Sequence, residues 1–271
     1  MGISVLMSIY YKEKREYFEQ AFKSIWDNQT LKPNEVILVL DGPLGEELND
    51  VIRGLKKKLI NKLRIIQIDQ NLGLGNALRE GIKYCSNEFI ARMDTDDLSN
   101  PERFQRQYDF LIDNPDVDVV GTYISEIDEN NRTTREAVIY PEDHEDLRKL
   151  FIKRDPVAHA SCMFRSRFFL KAGSYSDQLI MAEDTLLWHN GFLKKCIMAN
   201  IAYVGYQVRV TKNFYRRRGS LRKSYDLLKF RIFVINRAHK FGLIGDFYAI
   251  SYFIINQMPS FIKRFFYKYF R

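Results

Sequence analysis

Three carboxylates crowd the segment Asp94-Thr95-Asp96-Asp97, which directly follows the apolar, strand-like run Phe89–Met93. Because side chains alternate across an extended backbone, Asp94 and Asp96 are expected to point to the same side. Two carboxylates at this spacing offer oxygen ligands to a hard divalent cation such as Mn²⁺ or Mg²⁺. The pattern therefore favours a cation site of the kind that holds a nucleotide diphosphate.

A simpler explanation of these acids is the start of a helix. Ser99-Asn100-Pro101-Glu102 follows them, with a capping side chain and a proline suited to a first turn, and acidic groups are favourable at a helix N-terminus. One carboxylate satisfies that role, whereas adjacent carboxylates repel one another and raise each other's pKa unless a cation offsets them. We therefore favour the cation site over the helix cap.

Composition indicates a globular protein. The chain has 271 residues, 46% of them hydrophobic, which is enough for one large α/β domain or a compact two-lobed unit. Its three cysteines, Cys85, Cys162 and Cys196, lie far apart, which favours reduced core thiols over disulfides or zinc ligands. The first residues lack the basic region and cleavage site of a signal peptide, so we expect none.

Charge is distributed unevenly along the chain. The net charge is +8, but from Arg209 onward there are 15 Lys and Arg residues against two acidic residues, which leaves 27 basic and 32 acidic residues before Arg209. The body therefore carries −5 and the last quarter +13. This asymmetry predicts that the C-terminal segment binds something anionic.

Alternating strand and helix patterns precede and include the acidic cluster. Strands are predicted at Ile3–Ile9, Glu35–Leu40, Leu63–Ile68 and Phe89–Met93, and helices at Arg15–Asn28, Glu46–Leu59 and Leu74–Cys85. Such a series indicates a parallel sheet that binds ligands outside the carboxyl ends of its strands, where Asp41 and Asp94 both fall. Between two of these strands, Gly73-x-Gly75 is neither a Rossmann fingerprint nor a P-loop. It is informative only through its order in the chain, one strand before the acidic cluster.

Five motifs follow one another in the order seen in family 2 glycosyltransferases. They are Ser4-Val5-Leu6-Met7-Ser8-Ile9-Tyr10, Val39-Leu40-Asp41-Gly42-Pro43, Asn71-Leu72-Gly73-Leu74, Asp94-Thr95-Asp96-Asp97 and Glu183-Asp184-x-x-Leu187-Trp188. The chain thus resembles an inverting glycosyltransferase of the GT-A fold. In addition, Leu40-Asp41-Gly42-Pro43 and Phe214-Tyr215-Arg216-Arg217-Arg218-Gly219 resemble bacterial O-antigen and amylovoran-type exopolysaccharide transferases.

The resemblance implies a Rossmann-like α/β fold with a mainly parallel central sheet and a basic, aromatic, helical C-terminal extension. We expect a nucleotide-sugar-binding half at residues 1–97 and an acceptor-binding half at 98–208. Residues 209–271 are expected to form a basic amphipathic segment that associates with a membrane.

The resemblance also assigns residues to the donor site. The nucleotide-sugar-binding residues would be Ser8, Tyr10, Glu13, Asp41, Asn71, Gly73, Arg79, Asp94 and Thr95. Asp41 would accept a hydrogen bond from uracil, although it could instead stabilise its Gly-Pro turn. Asp96, together with Asp94, would bind Mn²⁺ or Mg²⁺, and Asp97 would support these ligands or cap a helix.

Inverting transfer needs a carboxylate that takes the acceptor proton opposite the leaving UDP. The resemblance points to Asp184, with Glu183 beside it, although an acidic pair at a helix start also favours the helix dipole. Arg216, Arg217 and Arg218 could stabilise the departing diphosphate, or could form a solvated basic loop. His159 and Trp188 are expected near the acceptor or the diphosphate, in a binding role.

The tail indicates where the reaction takes place. The uncharged run 247–261 is shorter than the roughly 20 residues that cross a bilayer, and basic and aromatic residues follow it. We expect a peripheral enzyme at the cytoplasmic face of the inner (plasma) membrane, held by anionic lipid and without nucleic acid as a partner. The resemblance implies transfer of a hexose, galactose or glucose, from a UDP-sugar to GlcNAc-diphospho-undecaprenol in β linkage, as in β-1,3-transferases of this type.

Three alternatives stay open from the sequence. A glycosyltransferase acting later in polysaccharide assembly would use another donor or acceptor. A nucleotide-sugar pyrophosphorylase would share the sheet and the metal-binding aspartate, but Ser8-Ile9-Tyr10-Tyr11-Lys12-Glu13 is not its glycine-rich loop. A basic membrane- or nucleic-acid-binding protein with an inactive glycosyltransferase-like domain would leave the acidic cluster unexplained.

Overall fold

The computed structural model describes residues 2–176, 182–211, 220–259, 262, 263 and 266. Within these residues, a single sheet of nine strands forms the centre of the protein. The strands are β1 (Ile3–Ile9), β2 (Glu35–Asp41), β3 (Leu63–Ile68), β4 (Phe89–Asp94), β5 (Leu98–Ser99), β6 (Val117–Ile127), β7 (Thr133–Val138), β8 (Met163–Arg165) and β9 (Ile197–Arg209). Their order across the sheet is β3-β2-β1-β4-β8-β6-β9-β5, with β7 paired to β6.

Helices connect and cover the strands. They are α1 (Arg15–Trp26), α2 (Glu46–Leu59), α3 (Leu74–Ile82), α4 (Arg103–Asp113), α5 (His144–Leu150), α6 (Ser166–Ala172), α7 (Glu183–Leu193), α8 (Leu221–Phe230) and α9 (Gly242–Gln257). Short 3₁₀ turns lie at Ile60–Lys62 and His159–Ser161, and a π-helical stretch, Arg231–Ile235, with the turn Asn236–Ala238, links the last two helices.

The predicted parallel half of the sheet is confirmed. Strand β1 pairs in parallel with β2 and β4, and β2 pairs in parallel with β3. Two strands extend one residue beyond the predicted ends, so that Asp41 and Asp94 are the last residues of β2 and β4. Helix α3 ends at Ile82 rather than Cys85, because Tyr84 and Cys85 donate to carbonyls three residues back, which tightens the last turn.

Apolar side chains cover both faces of this half, as parallel sheets require. Val5 and Met7 of β1 pack on one face with side chains of α1 and α2, while Leu6 packs on the other with α3. This alternation follows from the two-residue period of a strand. Burial on both faces fixes the register of the strands and therefore the place where each strand ends.

The second half of the sheet joins the first through a reversed strand. The short β8 is antiparallel to β4 on one side and to β6 on the other. Beyond it, β6 pairs in parallel with the long β9, while β5 and β7 are antiparallel additions to β9 and β6. The result is the mostly parallel mixed α/β sheet that the sequence predicted.

The C-terminal helices are attached to α7. The Nδ1 atom of His189 in α7 lies 3.0 Å from the Nε2 atom of His239, which precedes α9, so the two rings share a proton between them. Both residues are buried. Phe151 contacts the ring of His239 edge-on and Phe241 stacks on it. The junction between α7 and the C-terminal helices is therefore an aromatic core with one histidine pair.

This histidine pair predicts a pH-dependent stability. Burial, the neighbouring His189 and the charge of Arg148 lower the pKa of His239 to about 4. A histidine whose pKa is lowered in the folded state stabilises the fold above its unfolded pKa, about 6.5, and loses this contribution as the pH falls towards 4. We expect the melting temperature to fall between pH 7 and pH 5, measured by circular dichroism.

The variant His239→Phe provides the control for this prediction. Phenylalanine keeps the aromatic packing against Phe151 and Phe241 and cannot be protonated. The loss of melting temperature over the same pH interval should therefore be smaller in this variant than in the wild type. Equal losses in the two proteins would show that the histidine pair does not set the pH dependence.

Candidate active site

Three strand ends meet at one edge of the sheet. In the register of the sheet Ser8 lies opposite Asp94, and Ile9 lies opposite Leu40, one residue before Asp41. Neighbouring strands lie about 4.8 Å apart, so the ends of β1, β2 and β4 form one continuous edge. Ligands of open α/β sheets bind outside such carboxyl ends.

The carboxylate of Asp41 holds the loop that follows β3. It accepts hydrogen bonds from the side-chain amide of Asn71 at 3.0 Å, from the backbone N–H of Leu72 at 2.8 Å and from that of Gly73 at 3.0 Å. Asp41 is 3% exposed, so these donors satisfy a buried charge. Sequence reasoning offered uracil or the Gly-Pro turn as the partner of Asp41 and missed this loop, because the contact joins two different strand ends.

Gly42 makes this contact possible. Its φ is +89°, in the left-handed region that favours glycine, and a Cβ atom at this position would lie 2.7 Å from the backbone nitrogen of Asn71. The sequence pattern Asp41-Gly42 therefore positions both the carboxylate and the space that the loop needs.

Glu13 and Thr95 meet above the end of β1. The hydroxyl of Thr95 donates to the carboxylate of Glu13 at 2.7 Å and also lies 3.4 Å from the backbone oxygen of Ser8. The structure thus brings together three residues that the sequence assigned to the nucleotide pocket. Tyr10, which the sequence also assigned to the nucleotide pocket, packs edge-on against Tyr11.

Arg79 lies on α3, six residues after Gly73 of the Asp41-bound loop. Its guanidinium donates to the side-chain oxygen of Asn76 at 2.7 Å, and Asn76 in turn donates to the carbonyl of Leu72 at 2.8 Å. The side chain is therefore held on the same side of the sheet as the loop. Arg216, Arg217 and Arg218, which the sequence assigned to the diphosphate, lie outside the described residues.

A buried arginine lies behind the acidic cluster. Arg92 is two residues before Asp94 on β4, so both side chains point to the same face, and its Nη2 donates to Oδ1 of Asp94 at 2.6 Å. Arg92 is 1% exposed, and its Nε and Nη1 atoms have no hydrogen-bond partner among the described residues. Sequence reasoning missed Arg92, although an arginine inside an apolar strand run is itself a signal.

Asp94 helps to keep the buried guanidinium charged. Burial alone would lower the pKa of Arg92, but the charge and hydrogen bond of Asp94, together with Tyr206 and Tyr175, raise it. The guanidinium is therefore always protonated. The side chain of Asp94 is 33% exposed, so one carboxylate connects the buried arginine with the open edge of the sheet.

Asp97 has a structural role. Its carboxylate is buried and accepts the backbone N–H of Arg209, at the end of β9, at 2.7 Å. Burial and the charges of Asp96 and Asp94 raise its pKa well above the usual range, which places the three carboxylates close together. The helix-cap alternative is wrong, because β5 follows these acids directly and the N-cap of α4 is Glu102.

A divalent cation held by Asp94 and Asp96 would need further ligands. Within the described ranges, no group of three or more His, Cys, Asp and Glu side chains is arranged to hold a metal ion. A Mg²⁺ or Mn²⁺ ion that is bound together with a diphosphate needs only one or two carboxylates, because phosphate oxygens and waters complete its shell. The mutual repulsion seen at Asp97 is what such an ion would relieve.

Helix α7 brings a second acidic pair to this edge. It begins at Glu183, followed by Asp184, whose Oδ1 accepts the backbone N–H of Thr185 at 2.8 Å. The hydroxyl of Thr185 donates to the carboxylate of Asp155 at 2.9 Å. Asp155 also accepts from Nη2 of Arg231, in the π-helical stretch, at 3.3 Å. Asp155 thus connects the first turn of α7 to the π-helical stretch.

Glu183 shares an environment with the Arg92–Asp94 pair. Burial, and then the charges of Asp94 and Asp155, raise the pKa of the Glu183 carboxyl, whereas the guanidinium of Arg92 lowers it. Gly75 on α3 packs against it, since a Cβ atom there would lie 3.0 Å from Cβ of Glu183. Glu183 therefore lies within electrostatic range of the Arg92–Asp94 ion pair.

His159 and Trp188 lie behind the same edge. Nε2 of His159 is 2.6 Å from the hydroxyl of Tyr175, and its ring contacts Trp188 edge-on. Burial and the nearby Arg92 lower the pKa of His159 well below its usual range, so its imidazole is neutral. Trp188 is fully buried and stacks on Phe164, so its ring reaches the site only through His159.

These features define a class of protein. A parallel sheet carries acidic residues at the ends of β2 and β4, the antiparallel β8 joins its two halves, and the first turn of α7 supplies a second acidic pair. This is the architecture of a nucleotide-diphospho-sugar transferase of the GT-A fold.

Comparison with known proteins identifies the family. Residues 4–173 match the family described as glycosyl transferase family 2. The chain belongs to this family and is a transferase of glycosyl groups.

Two related proteins are named as a glycosyltransferase and a galactosyltransferase. The chain is 32% identical over 255 residues to the amylovoran biosynthesis glycosyltransferase AmsE of Erwinia amylovora, covering 94% of this chain and 92% of that protein. It is 30% identical over 226 residues to the UDP-Gal:alpha-D-GlcNAc-diphosphoundecaprenol beta-1,3-galactosyltransferase of Escherichia coli, covering 83% and 80% of the two chains.

Solved structures share the fold. S. aureus TarS aligns with a TM-score of 0.62 at 17% identity, over 97% of this chain and 50% of that chain, so the chain spans half of that structure. The shorter TarS 1-349, solved in complex with UDP-GlcNAc, aligns with a TM-score of 0.61 at 16% identity, over 100% of this chain and 93% of that chain.

The contacts of Asp41 generate a prediction. Replacing Asp41 with alanine leaves the donors of the 71–73 loop without their buried acceptor, so we expect a destabilisation on the order of 2–3 kcal/mol. Hydrogen exchange at Leu72 and Gly73 should become faster by a larger factor than exchange in β6, measured by mass spectrometry. The nearby exposed Asp69→Ala is the control and should leave both stability and exchange unchanged. Unchanged exchange at Leu72 and Gly73 in Asp41→Ala would contradict the assigned contact.

Proposed function

We propose that the protein transfers a hexose, galactose or glucose, from a UDP-sugar to a lipid-diphosphate-linked sugar with inversion, giving a β linkage. The acceptor is GlcNAc-diphospho-undecaprenol, as in the assembly of O-antigen or exopolysaccharide repeat units. One observation carries this proposal. Glu183, at the start of α7, lies within electrostatic range of the Arg92–Asp94 ion pair at the end of β4.

The donor half of the site supports a UDP-sugar. Ser8, Thr95 and Glu13 lie together above β1, and the loop held by Asp41 lies beside them. In this proposal they line the nucleotide pocket with Tyr10, Asn71, Gly73 and Arg79. A structural neighbour was solved with UDP-GlcNAc, and a relative is named for its use of UDP-Gal.

A divalent cation, Mn²⁺ or Mg²⁺, completes the donor site in this proposal. Asp96 and Asp94 would hold it, and it would supply positive charge to the leaving diphosphate. Asp94 also accepts a hydrogen bond from Nη2 of the buried Arg92 at 2.6 Å. Arg216, Arg217 and Arg218 are proposed to add positive charge on the diphosphate side.

The acceptor half requires a base. We assign this role to Asp184, with Glu183 beside it, because one carboxylate must remove the proton of the attacking hydroxyl as the bond to UDP breaks. Thr185 and Asp155 hold the first turn of α7, which orients both carboxylates. His159, neutral and bound to Tyr175, offers a polar contact to the acceptor sugar, and Trp188 supports His159 from the core.

The placement of the enzyme is part of the proposal. Residues 1–97 bind the donor, 98–208 bind the acceptor, and the basic segment 209–271 associates with anionic lipid at the cytoplasmic face of the plasma membrane. Among the helices that the structure describes, none is long and apolar enough to cross a membrane. The second candidate is a step later in polysaccharide assembly, with another sugar acceptor. The relative named for amylovoran biosynthesis is as consistent with this step as with the first proposal.

Two substitutions separate the roles of the acidic pair. We expect Asp184→Asn to leave UDP-sugar binding nearly unchanged and to reduce kcat by a factor of about 10²–10⁴, as loss of a general base does. Glu183→Gln should have a smaller effect on kcat, because Asp184 remains. Single-turnover kinetics and calorimetric titration measure both. A larger reduction of kcat in Glu183→Gln than in Asp184→Asn would assign the role of base to Glu183 instead of Asp184.

Asp96→Ala tests the donor site. Removing a metal ligand should abolish the part of UDP-sugar affinity that depends on Mn²⁺ or Mg²⁺, measured by titration with and without the cation. The exposed Asp116→Ala, on the surface before β6, is the matched control and should bind as the wild type does. Equal affinity of Asp96→Ala and the control would exclude Asp96 as a ligand.

The decisive experiment is transfer from a panel of UDP-sugars to synthetic GlcNAc-diphospho-lipid, with the linkage of the product read by NMR. A β-linked disaccharide from one donor establishes the reaction, the donor and the acceptor together. UDP release without transfer would keep the donor site and assign a different acceptor. No release with any donor would overturn the proposal.

A further inference from the structure

Helix α9 exposes an apolar stripe that the other described residues leave uncovered. Leu243, Phe247, Ile250 and Ile254 recur at the spacing of one helix face, and they are 86%, 66%, 44% and 50% exposed. The opposite face is buried through Gly245, Ala249 and Asn256. We name the four exposed residues the α9 outer face.

A helix that is apolar on every side belongs either inside a protein or in contact with lipid. Asp246 is the only charged residue in the sequence of α9, and it accepts a hydrogen bond from Asn236 at 2.7 Å. Gly245 packs against the same asparagine. The inner face is therefore firmly seated, which leaves the outer face turned away from the protein.

Other exposed groups extend this surface. Phe233, in the π-helical stretch, is 58% exposed, and the guanidinium of Arg237 lies 5.4 Å from the centre of its ring. Tyr225 of α8 is 50% exposed and contacts Phe253 of α9. Aromatic side chains beside basic ones are typical of surfaces that lie at a membrane interface.

We propose that the α9 outer face inserts into the interfacial layer of an anionic membrane, with α9 parallel to the membrane plane. This inference rests on the proposed function and specifies the surface that the membrane contacts. The 16 residues of α9 span about 24 Å, less than the hydrocarbon thickness of about 30 Å. The helix is therefore suited to lying in the interface.

Charge distinguishes the membrane from a second copy of the chain. From Arg209 to the end, 15 basic residues stand against Asp226 and Asp246. Asp226 is paired with Lys229 at 3.5 Å, and Asp246 is bound to Asn236. Two copies that met through this surface would bring together two segments of charge +13, which repel, whereas anionic lipid attracts each of them.

The surface is connected to the catalytic helix. Arg231 binds Asp155, which binds Thr185 next to Asp184, and His239 binds His189 of α7. Because these contacts join the C-terminal helices to the start and middle of α7, membrane contact through α9 holds the acidic pair at a fixed position relative to the lipid surface. A lipid-linked acceptor would then reach Asp184 from the membrane side.

The test measures binding of the full chain to vesicles of equal parts phosphatidylglycerol and phosphatidylcholine, by co-sedimentation, without donor or acceptor. We expect the double variant Leu243→Ser/Phe247→Ser to lower the partition coefficient at least about tenfold, since two large apolar side chains no longer enter the lipid. The matched control is Ile60→Ser/Leu170→Ser, whose residues are 70% and 86% exposed elsewhere on the surface. It should bind as the wild type does.

A fluorescence measurement reports insertion directly. In Phe247→Trp, the additional emission over the wild type should shift to the blue when these vesicles are added, and vesicles of phosphatidylcholine alone should give a weaker shift. The proposal would be overturned if the Leu243→Ser/Phe247→Ser variant bound these vesicles as strongly as the wild type. It would also be overturned if the wild type did not bind them at all.

Two other occupants of the surface have separate outcomes. If sedimentation shows a wild-type dimer that the double variant separates, without vesicle binding, a second copy covers the face and the proposal fails. If the double variant instead loses melting temperature while vesicle binding is unchanged, the face is covered by residues of the same chain, and the proposal fails.

Activity separates this proposal from the proposed function. Transfer to a water-soluble, short-chain GlcNAc diphosphate should be equal in the wild type and the double variant, whereas transfer to vesicle-embedded acceptor should fall with the loss of binding. If the vesicles bind as expected but neither acceptor receives a sugar, the proposed function is refuted. The membrane-binding proposal then still holds.

Discussion

A single guanidinium supports the charge of the whole site. Arg92 is buried in the sheet and pairs with Asp94 at 2.6 Å, and its charge also acts on Glu183, His159 and Tyr206. Burial and mutual repulsion raise the pKa of carboxylates at this edge, as at Asp97 and Glu183, and the charge of Arg92 opposes the rise at Glu183. Removing one member of such a buried pair leaves the other charge uncompensated. The arrangement of the acidic residues at this edge therefore depends on Arg92.

Much of the fold could be predicted because its information is local. The strands β1 to β4 and the helices between them follow from periodicity in short windows, and the ordered motifs identify the family. The end positions of Asp41 and Asp94 follow from the same patterns, because a buried strand fixes its own register.

What the sequence could not predict depends on contacts between distant residues. Asp41 binds a loop 30 residues away along the chain, Asp97 holds the backbone of Arg209, and Arg231 reaches Asp155. Propensity and spacing carry no information about such pairs. The roles of the nucleotide-pocket residues, the metal ligands and the base come from the family resemblance and remain predictions, whereas the structure assigns the support that holds each of them.

The close approach of Gly75 to Glu183 has a consequence for the electrostatic potential of the site. Gly75 is the second residue of α3 and Glu183 the first of α7, so the first turns of two helices meet beside Asp94. Each helix directs the partial positive charge of its dipole, about half an elementary charge, towards that point. Unlike a histidine or a bound ion, these dipoles neither titrate nor dissociate. The acidic edge therefore keeps a permanent positive background that is built into the backbone.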